Sequence, residues 1–70
     1  MKLIERINEN LKKNNLNPEM DQAGDKSCSW IEMKKGDIQI VIHFDGKGQN
    51  IESINAYKDV VQVVDQVKLF

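Results

Sequence analysis

From Ile38 to Phe44 the chain alternates without a break: Ile38, Ile40, Ile42 and Phe44 fall on one side, Gln39, Val41 and His43 on the other. A period of two is what a half-buried β-strand requires. The preceding run, Ser27 to Lys34, alternates in the same way through Ser29, Ile31 and Met33. Lys35-Gly36 lies between the two runs, and the pattern predicts a β-hairpin with those residues as a two-residue loop. That loop sets Met33 opposite Ile38, Ile31 opposite Ile40 and Ser29 opposite Ile42. On the second face it sets Trp30 opposite Val41, Glu32 opposite Gln39 and Cys28 opposite His43.

Before the hairpin, Leu3, Ile4, Ile7 and Leu11 recur at three-and-four spacing, which predicts an amphipathic helix from Lys2 to about Asn14. Asn14-Asn15 supplies the stop, Leu16 folds back, and Pro18 forbids continuation. Residues Asn17 to Lys26 have no usable period and contain Pro18 and Gly24, so they read as a loop. After the hairpin, Asp45-Gly46-Lys47-Gly48 is a turn signal. A third strand follows from about Ile51 to Tyr57. Its register is open, and a bulge near Glu52-Ser53 would let both Ile51 and Ile54 face the core. In the stretch 59–70, Val60, Val63, Val64 and Val67 fit a helix, with Asp59 and Gln62 spaced as a capping box. The abundance of valine favours a strand instead.

The pattern therefore predicts one α+β domain over residues 1–70. Its order is α-β-β-β-α, a three-stranded antiparallel sheet with N-terminal and C-terminal helices on the Ile38-Ile40-Ile42 face. The alternative is a four-stranded sheet with one helix, in which the tail is the added strand. Seventy residues lie near the lower limit for a self-sufficient core, and a single cysteine allows no internal disulfide. A second copy is thus a natural source of extra burial, and a homodimer is one expectation.

No run approaches the roughly 20 apolar residues of a membrane span, and the charged start, Met1 to Arg6, lacks a signal peptide's apolar stretch. With a free cysteine this points to the cytoplasm. The net charge of −1 argues against a general nucleic-acid binder. Arg6 is the only arginine, and Lys, Asn and Ile abound. These residues have AT-rich codons, which together with the small size suggests a phage or mobile-element source.

No constellation of catalytic residues stands out. Cys28 and His43, as cross-strand neighbours with Asp45 two residues on, could be written as a nucleophile, base and acid, but nothing supplies an oxyanion site or pocket. Two ligands are too few for zinc. Glu19, Asp21 and Asp25 lack the alternating spacing and closing Glu of a calcium loop. The expectation is no metal and no cofactor. The α-β-β-β-α order is also that of the double-stranded RNA-binding domain. That family's lysine-rich start to its last helix has no counterpart here, because Tyr57-Lys58-Asp59-Val60 offers one lysine beside an acid.

What remains is a face. If helices cover one side of the sheet, Trp30 and Val41 meet water on the other, ringed by Glu32, Cys28 and His43, with the acids of the 17–26 loop at the rim. Such a patch marks a contact surface. The sequence thus points to a non-catalytic protein-interaction protein that binds and modulates a host protein. The alternative is a small nucleic-acid-associated module using Lys34, Lys35 and Lys47 at the turns and strand ends.

Overall fold

A computed structural model describes residues 1–69. The elements run α1 (Leu3–Lys13), β1 (Glu19–Gln22), β2 (Cys28–Lys35), β3 (Ile38–Asp45), β4 (Ile51–Asn55) and α2 (Lys58–Lys68). The four strands form one antiparallel sheet in the order β1-β2-β3-β4. Both helices are present, and Phe70 lies outside the described residues.

The hairpin is the centre of the sheet, with its register displaced by two residues from the Lys35-Gly36 expectation. Lys35 pairs with Ile38, Met33 with Ile40, Ile31 with Ile42 and Ser29 with Phe44. The loop is Gly36-Asp37, and Gly36 takes φ 64°. Hairpin loops of two residues follow the twist of their strands only with a positive φ at the first position. Glycine adopts that conformation freely, whereas Lys35 would be strained there. A shift of two leaves every side chain on its expected face.

The fourth strand is β1, in the segment read as a loop, and the tail is the helix α2. Glu19–Gln22 is exposed throughout, so it shows no buried alternation of its own. It is held by the outer edge of β2, with Glu19 opposite Glu32, Met20 opposite Ile31, Asp21 opposite Trp30 and Gln22 opposite Ser29. β4 does contain the expected irregularity. His43 pairs with Ser53 and Phe44 with Ile51, leaving Glu52 as the extra residue. Through this bulge Ile51 and Ile54 both pack against the core.

α1 ends where Asn14-Asn15 predicts. Asn15 takes φ 63°, its N–H donates to Lys12 O (3.1 Å), and Leu16 N–H donates back to Leu11 O (3.2 Å). This is a Schellman ending, with Leu16 folded onto the core. In α2 the N-cap is Tyr57 rather than Asp59. The Asp59 carboxylate reaches across to Lys35 at 2.7 Å and accepts the Val60 N–H at 3.0 Å, so it serves the turn of the hairpin.

All the core lies between the sheet and the helices. Ile4, Ile7 and Leu11 of α1 and Val60, Val64 and Val67 of α2 meet Ile31, Met33, Ile40, Ile42 and Phe44. Arg6 ties the helices together, its Nη2 donating to Val67 O at 3.0 Å. The β3–β4 loop is fastened to the start of α1, where Ile4 N–H donates to Gly48 O at 3.0 Å. Gly48 has φ 69°, and a Cβ there would lie 2.6 Å from Ile4 Cγ2. The Cα extents, 31 × 30 × 17 Å, fit one sheet layer and one helix layer. Among the described residues, no element covers the opposite face of the sheet.

Candidate functional site: the open sheet face

Alternation decides what the open face carries. Because Ile31, Met33, Ile40 and Ile42 point to the helices, Cys28, Trp30, Glu32 and Lys34 of β2 and Gln39, Val41 and His43 of β3 point away. The pairing adds Glu19 and Asp21 from β1 and Ser53 and Asn55 from β4. Two rows cross the sheet, Asp21-Trp30-His43-Ser53 and Glu19-Glu32-Val41-Asn55. Trp30 and Val41 are half-buried by their strand neighbours, and His43 is exposed.

Every face residue expected from the sequence is here, but three partners change with the register. Trp30 is opposite His43, with ring centroids 6.4 Å apart and planes tilted by 41°. Glu32 is opposite Val41, and Cys28 is opposite Asp45. Cys28 and His43 are therefore diagonal neighbours, not a direct pair. Among the described residues no hydrogen bond joins Cys28 to His43 or His43 to Asp45.

The Asp45 carboxylate is committed to its own turn. It accepts from Gln49 N–H (2.9 Å), Asn50 N–H (3.4 Å) and Asn50 Nδ2 (2.8 Å). The Asn50 side chain, then the Gln49 N–H, hold its pKa below the ordinary value. A carboxylate so engaged is not free to orient a histidine.

The lysines of the alternative reading do not form one patch. Lys34 and Lys35 sit at the Gly36-Asp37 turn, and Lys47 lies beyond the far end of β3. Eight residues of strand separate them, roughly 25 Å. Lys35 is also engaged, by Asp59 and by the Tyr57 ring, 5.4 Å from its Nζ. Lys47 instead lines a cleft with Lys2 and Lys26, a grouping of three segments distant in sequence that only the folded chain assembles.

Sequence reasoning put the acids Glu19 and Asp21 in a loop at the rim. They are members of the face itself, in register with Glu32 and Trp30. Asp25, by contrast, is at the β1–β2 turn, accepting the Ser27 N–H at 3.0 Å. Among the described residues no three His, Cys, Asp or Glu are grouped to hold a metal ion. Nor is any helix of the described residues long and apolar enough to cross a membrane.

The architecture defines a two-layer α+β domain with one bare sheet face. No protein-family model, curated protein or solved structure matches the chain, so the functional reading stands on the geometry alone.

Proposed function

We propose that this is a non-catalytic protein-interaction domain that binds and modulates another protein through its open sheet face. One observation carries the reading: the face turned away from both helices holds Trp30 and Val41 at its centre, and no element among the described residues packs upon them. Tryptophan is over-represented among residues that dominate binding energy, and a polar surround excludes water from such a centre. Here Glu32, His43, Cys28 and Asp21 form that surround.

The sheet edges support the face, rather than strand addition, as the contact. β1 is four residues long, carries two acids, and its Gln22 N–H is occupied by Asp21 Oδ1 at 2.8 Å. β4 is interrupted by the Glu52 bulge. Short, charged or bulged edges are poor templates for another strand. A reduced cysteine at the face suits a cytoplasmic setting, and the Lys-, Asn- and Ile-rich composition suits an accessory protein of a phage or mobile element.

The test is capture of partners from a bacterial lysate with tagged wild type and Trp30→Ala. The variant should lose the captured protein while keeping its far-ultraviolet circular dichroism, because Trp30 lies outside the core. Undiminished capture by Trp30→Ala would remove the face from the interaction, and loss of fold would make Trp30 a structural residue.

A further inference from the structure

Within that reading, the charges on the face specify its occupant. Glu19 and Glu32 stand directly opposite each other across β1 and β2, about 5 Å apart at Cβ. Like charges in that position destabilise a sheet. Asp21 adds a third carboxylate beside Trp30. None of the three is in an ion pair, for the salt bridge found among the described residues is Lys35–Asp59. Lys34, the lysine of this face, makes none with them. The molecule thus keeps a locally unfavourable arrangement next to the half-buried Trp30.

We propose that the open face receives an arginine-bearing basic segment of a partner protein. A guanidinium over Trp30 gains cation–π attraction, and its fork of donors suits a pair of carboxylates. Its charge relieves the Glu19–Glu32 repulsion, so the strain in the free domain becomes affinity in the complex. A second copy is a poorer occupant. A two-fold contact brings the same surface to itself and would set these carboxylates against each other.

The inference rests on the face being a contact surface, and its test separates the two ideas. The 15N-labelled domain is titrated with a capped peptide of six arginines, at about 50 and about 300 mM salt. Wild type, Glu19→Gln/Glu32→Gln and Trp30→Ala are compared, with thermal melts of each. Shifts should be confined to Glu19, Asp21, Glu32, Val41 and the Trp30 indole, and binding should weaken at least tenfold with salt and again in the double variant. The double variant should also melt no lower than wild type, since it loses repulsion and no hydrogen bond.

Shifts on the face that vanish in Trp30→Ala but survive Glu19→Gln/Glu32→Gln unchanged would overturn the charge argument and leave the contact surface standing. Shifts scattered over the helix acids Glu9, Asp59 and Asp65 would overturn the inference, as would none at millimolar peptide. The lysate capture with Trp30→Ala then still decides the broader reading, because it makes no assumption about the partner's charge.

Discussion

Asn8 is the polar side chain that α1 sends into the core between Ile4, Ile7 and Leu11, and its Oδ1 has no hydrogen-bond partner. Ser29, the other buried polar residue among those described, differs in that its hydroxyl donates to Asp45 O at 2.8 Å. An orphaned buried acceptor costs about 1–3 kcal/mol, and alanine is also the better helix former. Asn8→Ala is therefore expected to stabilise the domain by about 1 kcal/mol. Urea unfolding would register this as a higher midpoint with an unchanged slope. A lower midpoint would mean that the amide's packing outweighs its missing bond. Trp30 is a contrasting case at the same scale. Its partial exposure comes from facing away from both helices, so a change there should act on binding before it acts on stability.

Among the elements, those with their own apolar periodicity are legible in the sequence. The stripe of α1 and the alternation of β2 and β3 each state which face is buried, whereas the valines of α2 suit a helical stripe and a strand alike, and the folded chain makes them a helix. β1 was not legible because its pairing is imposed by β2, while its own four residues are all exposed. Faces could be read where partners could not: the slip from Lys35-Gly36 to Gly36-Asp37 preserves parity, so Trp30, Glu32 and Val41 stay together although each has a different neighbour. The lysine cluster failed for another reason, since proximity between strand ends is set by strand length and not by chemical type. The β3–β4 turn yields a prediction of its own. Hydrogen bonds from Asn50 and Gln49 hold the Asp45 pKa below its ordinary value of 3.8. A carboxyl with a lowered folded-state pKa stabilises the fold above its unfolded value, and that contribution is lost as pH falls through the folded one. Asp45→Asn should therefore lower stability at neutral pH, where the ionised carboxylate contributes, and flatten the further loss below about pH 4. Melting temperatures across that range for both proteins would decide it, and an identical acid limb would assign the loss to Asp25 and Asp59, whose pKa values are also lowered.

For the whole molecule, the question is why a chain of this size, with a bare apolar centre on its sheet, should not bury it against a second copy. Hydrophobic burial favours pairing through Trp30 and Val41, and the short core would gain from it. Electrostatics opposes pairing, since a two-fold contact would face Glu19, Asp21 and Glu32 with the same groups. The blunted edges remove the other common route to a dimer. The balance turns on screening, because exposed charges lose most of their reach beyond about 8 Å at physiological salt. The domain should accordingly sediment as a monomer at low ionic strength, and self-association should increase as salt is added or in Glu19→Gln/Glu32→Gln. A dimer strongest at low salt and dissociated by raising it would reverse the sign. Unlike charges would then have to meet between copies, bringing the carboxylates of one face to the lysines at the Lys2, Lys26 and Lys47 cleft of another.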